Sequence, residues 1–362
     1  MHKRVAIVYN EPRQPDSETT LEEKAVLDVL DAVDAVRQAL LELGFSVTLV
    51  PLLPLLEQIE RELANLDTDL VFNLFEGFFR SPESEPIVPD ILSGLGIPFT
   101  GCPASALRLA LDKAKTKLAL VAAGIKTPDF QLLNPRTLHL FRLNYPCIVK
   151  PRCEDASNGL SADSVVHDSA SLARQLELVT KQYGRDALVE EFIAGREFNA
   201  TVIGNSRLTV LPVSEIVYSL PPSVPKILTF DAKWDPNSSY FQGTKPICPA
   251  EIEPEIERYI VETVTKVYRL LGCQGYARVD MRMDDCGFIN VIEVNPNPDI
   301  SPDAGAPMQA RAAGMTYTQF IAKIVQLAFA RKEDERQHSS YVPRRQSPRN
   351  GNTARHTRIQ TL

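Results

Sequence analysis

The stretch Gly275-Tyr276-Ala277-Arg278-Val279-Asp280, answered by Val291-Ile292-Glu293-Val294-Asn295-Pro296-Asn297, decides how this chain is read. The runs 275–283 and 287–294 are strand-like and meet at a turn around 284–287, which predicts an antiparallel pair. Side chains two apart on a strand share a face, so Arg278 joins Asp280 and Glu293 joins Asn295. Cross-strand pairing lets Asp280 and Glu293 lie on that same face. Val279, Val291, Ile292 and Val294 give the opposite face to a core, so the polar face must line something. Asp280, Glu293 and Asn295 are three oxygen donors of the kind that suit magnesium, which takes one or two carboxylates plus substrate phosphates. Arg278 sets a fixed positive charge beside them. The plainer alternative is a hairpin with solvated polar residues.

A metal beside an arginine invites a nucleotide, and the middle of the chain supplies lysines for one. Lys150 ends the apolar run Cys147-Ile148-Val149-Lys150-Pro151, and Lys113 lies in Leu111-Asp112-Lys113-Ala114-Lys115-Thr116-Lys117. Lysines at strand ends bind phosphates as point charges. The loop holding Glu154, Asp155, Ser157, Asn158 and Gly159 is small and polar, and its N–H groups can cover phosphates as a nest, although Ser-Asn-Gly is also a common turn. The chain has no Gly-x-x-x-x-Gly-Lys-Ser/Thr, which excludes a P-loop. The first strand is followed by no Gly-x-Gly-x-x-Gly, which argues against dinucleotide binding.

Outward from there, residues 5–9, 45–51 and 70–75 read as strands, and 24–43 (capped by Gly44) and 52–66 as helices. That alternation predicts a doubly wound parallel sheet. Ligands sit at the carboxyl ends of such strands, which makes Asn10, Glu11, Phe75 and Glu76 candidate pocket residues unless they merely open loops. Residues 104–124 read as one helix stopped by Gly124-Ile125-Lys126-Thr127-Pro128. A helix over 168–183 and a strand over 187–192 complete a small α+β unit. Strands at 197–204 and 207–217 follow, then a Pro-rich stretch, 219–254, too long for an ordinary loop. Helices over 251–271 and 315–331 close the fold. The predicted division is an N-terminal α/β domain (1–103), a central unit (104–193), a C-terminal unit with the metal site (194–332) and a tail (333–362). From Arg336 onward there are six arginines and no acid, too apolar-poor for a core, so the tail is expected to be disordered. Its charge could serve RNA, acidic lipid or a protein partner, but the favoured reading is a plain solvated extension.

Composition agrees with several domains, because 362 residues exceed what one core usually serves. With 44% hydrophobic and 23% charged residues the bulk is neither low-complexity nor collagenous. A net charge of −7 argues against nucleic acid as a partner. No apolar run approaches the ~18 residues of a membrane helix, so no membrane partner is expected. The N-terminus enters a strand without a signal-peptide pattern. Six cysteines without a Cys-x-x-Cys pair read as reduced thiols of a cytoplasmic protein, and five scattered histidines argue against zinc.

The order Asp112-Lys113…Lys117, Ile148-Val149-Lys150-Pro151, Val189-Glu190-Glu191-Phe192-Ile193-Ala194-Gly195-Arg196-Glu197, Arg278-Val279-Asp280 and Glu293-Val294-Asn295-Pro296 resembles the ATP-grasp superfamily. Within it the chain is most similar to the D-alanine–D-alanine ligases, supported by Phe99-Thr100-Gly101 and Lys126-Thr127-Pro128, over roughly residues 5–330. The resemblance implies a three-domain ATP-grasp architecture with ATP held between central and C-terminal domains. It implies that Lys113 and Lys150 hold phosphates, that Glu190 to Ile193 form the hinge strand against adenine with Phe192 flanking it, and that Glu197 binds the ribose hydroxyls. Asp280, Glu293 and Asn295 would hold two magnesium ions, or manganese in their place, and Arg278 would stabilise the transferring phosphoryl group. Ser157 and Gly159 belong to the loop closing over the phosphates, and Lys233 to a second mobile loop. The implied reaction joins a small-molecule carboxylate to an amine through an acyl phosphate, releasing ADP and phosphate. A homodimer is also implied.

The chain departs from that family at its substrate end. Tyr9-Asn10-Glu11-Pro12-Arg13 replaces Gly-Gly-x-Ser-x-Glu, and Phe75-Glu76-Gly77 replaces His-Gly. Ala156 stands at a family serine and Trp234 at a tyrosine. Pro298-Asp299-Ile300-Ser301-Pro302-Asp303-Ala304-Gly305 replaces the run that grips the second carboxylate. Glu11, Glu76, Trp234, Asp299 and Ser301 are therefore the expected substrate-pocket residues. Three readings follow: a ligase with a substrate other than D-alanine, a true D-alanine–D-alanine ligase, and a non-catalytic ATP-binding module.

Overall fold

A computed structural model of the chain describes residues 3–11, 21–78, 81–154 and 157–340. Its first unit follows the expected alternation: β1 (Arg4–Asn10), α1 (Leu21–Glu42), β2 (Ser46–Leu52), α2 (Leu56–Ala64), β3 (Leu70–Leu74) and α3 (Ile87–Leu95). The strands form a parallel sheet in the order β2-β1-β3, with β1 in the middle. Val5, Ile7, Leu70 and Phe72 bury one face, while Ala6, Val8, Val71 and Phe75 bury the other. A strand covered on both faces is a near-continuous apolar run, as Val5–Tyr9 and Leu70–Phe72 are, and the one polar side chain inside β3, Asn73, accepts from the Phe75 amide (3.3 Å).

The helix expected over 104–124 is two helices, α4 (Ala104–Leu111) and α5 (Lys113–Ala122). Asp112 breaks it by adopting an extended backbone and accepting the Lys115 amide as N-cap of α5. Both helices pack with Cys102 into the core of the C-terminal sheet, not into the central unit to which the sequence assigns them. The central unit is accordingly β4 (Phe130–Leu133), β5 (Cys147–Lys150), β6 (Val165–Val166), α6 (Ser169–Tyr183) and β7 (Ala187–Glu191), with strand order β4-β7-β5-β6.

The third sheet comprises β8 (Glu197–Gly204), β9 (Leu208–Val210), β10 (Ser214–Tyr218), β11 (Thr244–Ile247), β12 (Gly275–Met283) and β13 (Ile289–Asn295). Its order is β11-β10-β8-β12-β13, with β9 on β8. The single strand expected over 207–217 is interrupted, because Pro212 cannot donate to the ladder and Val213 turns into the core. The Pro-rich 219–254 is not one loop. It contains α7 (Phe230–Trp234), α8 (Ser239–Gly243) and β11. Helix α9 (Pro254–Leu270) covers one face of this sheet through Ile260, Val264 and Val267.

Helix α10 (Gly305–Ala312) precedes α11 (Tyr317–Ser340), which carries Phe320, Ile321, Ile324, Val325 and Ala328 onto the N-terminal sheet. The first and last units thus share a core. Arg331 ties the same junction by donating to the carbonyls of Phe99 (2.9 Å) and Gly101 (3.2 Å). Helix α11 runs on into the segment expected to be disordered, as far as Ser340. Residues 341–362, with the rest of the basic tail, lie outside the described residues, as do Pro12, Arg13, Asp155 and Ala156. Among the described residues no helix is long and apolar enough to cross a membrane.

Candidate active site

Strand β12 lies between β8 and β13, and its register sets the site. Asp280 faces Glu293 on one side and Asn199 on the other, while Arg282 faces Glu197. Residues 278, 280 and 282 alternate onto one face, as the period of two requires. The pairing with β13 shifts after Asp280, so that Met281 meets Val291 and Ile292 is the extra residue. This bulge turns Ile292 into the cleft beside Glu293, which corrects its expected place on the core face.

The cleft has a volume of about 1790 Å³ and lies among the three units. It is lined by Lys150, Ser157, Gly159, Glu190, Phe192, Ile193 and Glu197 from the central and hinge segments, and by Arg278, Asp280, Glu293 and Asn295 from the hairpin. Lys233 and Trp234 of α7 line it as well, and so do Glu76, Asp299 and Ser301 at the end nearer the N-terminal sheet. Glu11 does not. Its amide bonds to the Leu52 carbonyl (3.0 Å), which continues the β1–β2 pairing and leaves the residue exposed, while Asn10 takes the lining position.

Arg278 grips both oxygens of Asp280, at 2.7 and 2.9 Å, and Asn199 donates to the same carboxylate at 2.8 Å. Burial opposes the Arg278 charge, but Asp280 and then Glu293 more than restore it and raise its pKa. Lys113 begins α5, and its ammonium reaches Glu293 at 2.9 Å and the Glu154 carbonyl. Burial pushes the Glu293 carboxyl up, yet Lys113, Lys150 and Lys233 outweigh it and hold it at about 2. Asp112, besides capping α5, is clasped by the Arg152 guanidinium at 2.7 and 2.9 Å, which fixes where Lys113 starts.

Glu190 was expected to serve through its backbone, and its side chain has a further place. It is buried between Lys150 (3.0 Å) and Lys117 (3.3 Å). Burial would raise its carboxyl, and the two ammonium groups bring it below the ordinary value. Lys117 is fully buried, donates to the Thr127 hydroxyl (2.6 Å), and burial drives its pKa down to about 8 against the pull of Glu190. Arg152, Asn199 and Arg282 are site-shaping residues that the sequence does not single out, and Lys117 and Thr127 gain a role here beyond their place in the motifs. The spacing of Lys117 one turn after Lys113, and of Asn199 two after Glu197, carried the signal.

Two glycines are required where loops approach the cleft. Gly159 has φ +74°, and a Cβ there would stand 2.7 Å from the Tyr183 hydroxyl and 2.8 Å from Pro151. Gly195, between β7 and β8, would place a Cβ 1.9 Å from the Met283 carbonyl. The two loops over the cleft also meet: the Phe230 amide donates to the Leu160 carbonyl at 3.2 Å, and Ile227, Ala232 and Tyr240 share a core with Ile148 and Val165.

The donor set is compatible with magnesium. Two carboxylates and an amide oxygen, without thiol or imidazole, form a hard-oxygen set. Among the described residues no three His, Cys, Asp or Glu side chains are grouped to hold a metal, so oxygens from a bound phosphate chain would have to complete the shell.

The chain is similar to several known proteins. The family described as "D-ala D-ala ligase C-terminus" matches residues 120–326. A D-alanine–D-alanine ligase of Haemophilus influenzae is 30% identical over 305 residues, covering 81% of this chain and 94% of that protein. An uncharacterized protein of Sinorhizobium fredii is 34% identical over 264 residues, covering 72% and 75%. In fold, the crystal structure of D-alanine–D-alanine ligase from Bacillus anthracis complexed with ATP matches with a TM-score of 0.70 at 21% identity, covering 92% of this chain and 99% of that one.

Proposed function

Because the chain belongs to the D-alanine–D-alanine ligase family of ADP-forming ATP-grasp enzymes, we propose that it joins a carboxylate to an amine in an ATP half built as the family builds it, with a substrate end adapted to a partner other than D-alanine. The observation that carries this reading is the convergence of Lys150, Arg278, Asp280, Glu293 and Asn295 on one cleft whose other end is lined by Glu76, Asp299 and Ser301.

The chemistry follows from that set. Lys113 and Lys150 neutralise the phosphates, the backbone of 190–193 reads the adenine edge, and Glu197 takes the ribose hydroxyls. Asp280, Glu293 and Asn295 would hold magnesium, which supplies charge neutralisation at the transferring phosphate. The substrate carboxylate attacks the γ-phosphorus, the bond to ADP breaks, and Arg278 offsets the charge that gathers on the phosphoryl oxygens. The amine then attacks the acyl carbon of the acyl phosphate, phosphate leaves and a proton is lost from nitrogen. Position and positive charge do most of this work. The contact between the loops at Leu160 and Phe230 supports their role in keeping water from the acyl phosphate.

Substrate choice rests on the replaced groups. A polar pocket that loses its hydrogen-bonding partners discriminates far more than one that loses a methylene. Trp234 lines the cleft, and its indole N–H is buried without a partner among the described residues. The experiment is ADP release from Mg-ATP across D- and L-amino acids, singly and in pairs, with product masses. Turnover with an acid–amine pair other than two D-alanines is the expected result. Turnover with D-alanine alone, giving the dipeptide, would establish the second reading instead.

A further inference from the structure

Arg282 lies on the same face of β12 as Arg278 and Asp280, lines the cleft, and is only 4% exposed. A guanidinium is a planar fork of five donors and no acceptor, and burying it is costly unless those donors are used. Here they are used on three segments at once. One nitrogen donates to the Ile193 carbonyl of the hinge at 2.7 Å. Another donates to the Glu197 carboxylate and to the Lys226 carbonyl, which belongs to the segment leading into α7. The guanidinium also lies near the Phe192 ring (5.1 Å to the centroid) and the Tyr218 ring (5.9 Å). Tyr218 completes the arrangement by donating its hydroxyl to the same Glu197 oxygen at 2.7 Å.

We propose that Arg282, together with Tyr218, is a positioning residue for the nucleotide, holding the Glu197 carboxylate in the one orientation from which it meets the sugar. The proposal rests on the reading that Glu197 takes the ribose hydroxyls. A glutamate side chain has three rotatable bonds, and one left to solvent spreads over rotamers, whereas two donors on a single oxygen select one. Neutralising the carboxylate with a partner that also holds hinge and loop backbone places the adenine edge, the sugar and the cover in one frame. An arginine that merely filled the sheet face would carry the same ion pair without setting sugar preference.

The test is calorimetric binding of Mg-ATP and of Mg-2′,3′-dideoxy-ATP to the full chain, which needs no knowledge of the carboxylate or the amine. Four proteins are compared: wild type, Glu197→Ala, Arg282→Met and Tyr218→Phe. Hydrogen bonds to a charged group predict that the wild type prefers ATP by about tenfold or more. Arg282→Met is expected to bring that ratio to within about twofold of unity, and Tyr218→Phe to lower it part of the way, because each removes a donor that fixes the acceptor. If Glu197→Ala loses the preference and Arg282→Met keeps the wild-type ratio, Arg282 is structural and the proposal is overturned. If Glu197→Ala itself keeps the preference, the ribose reading beneath it fails first. Should Arg282→Met not fold, Tyr218→Phe decides, and an unchanged ratio there overturns the proposal too.

Discussion

The Lys113 ammonium stands 2.9 Å from a Glu293 oxygen, which joins the first turn of α5 to β13. The lysine is buried and the carboxylate only partly exposed, so neither charge is fully satisfied by water. Removing one preorganised charge from such a site typically costs a factor of about 10²–10³ in turnover. Lys113→Ala is therefore expected to lower ADP release by that order. A loss of less than about tenfold would show that the phosphates do not use this lysine.

The same pair sets an acid limit on stability. The Glu293 carboxyl has an ordinary value of 4.5 and is held at about 2 in the folded chain. A folded value below the unfolded one stabilises the fold at pH above the unfolded value, and that contribution disappears as pH falls toward the folded value. Urea midpoints measured from neutral pH down through 4.5 to about 2 should fall for the wild type, and the curve for Glu293→Gln should run lower at neutral pH and converge with it in acid. Parallel curves would remove the assignment.

Asp280→Asn keeps the hydrogen-bonding shape but withdraws the charge that faces Arg278 and, in the proposed reading, the metal. Turnover should be abolished over the whole range of magnesium concentrations, while the melting temperature changes modestly. Undiminished ADP release would remove Asp280 from the proposed metal site.

Asp112 does two things that can be separated. Its side chain caps α5 and takes the Arg152 fork. Loss of an N-cap costs about 0.5–2 kcal/mol, so Asp112→Ala should lose that and part of the ion pair, whereas Asp112→Asn retains the cap and loses only the charge. Denaturant midpoints should rank wild type, Asn and Ala in that order.

Gly195→Ala forces a methyl to 1.9 Å from the Met283 carbonyl. Neither backbone can yield without disturbing the β8–β12 pairing. Overpacking of this kind costs about 1–3 kcal/mol or more. Thermal unfolding of the variant should shift down accordingly, with nucleotide affinity weakened because hinge and hairpin move together.

The hairpin at 275–295 could be read from sequence because strand period and residue chemistry agree there: Arg278, Asp280, Glu293 and Asn295 alternate with valines. The first sheet was legible for the same reason, its strands being apolar runs punctuated by helices. What escaped was set by contacts distant in sequence. Nothing local says that Asp112 leaves the helix, because its partner Arg152 lies in another unit. The short helices in 219–254 have no apolar period of their own and are held by Ile148 and Val165. Ile292 reaches the cleft only through a bulge fixed by pairing with β12. Arg282 was within reach of the alternation rule, yet an arginine two past an aspartate looks like solvated surface until Glu197 is seen opposite.

The packing of α11 against β3 and α1 has a consequence for biosynthesis. Val33, Val36, Leu40, Leu70 and Phe72 are made well before Phe320, Ile321 and Ile324, which complete the same core. Until that helix arrives, the nascent first unit leaves the part of α1 and β3 that it covers exposed as an apolar surface of the kind that chaperones hold and that drives aggregation. A fragment ending before residue 317 would keep that face permanently, so the N-terminal unit is completed last although it is made first.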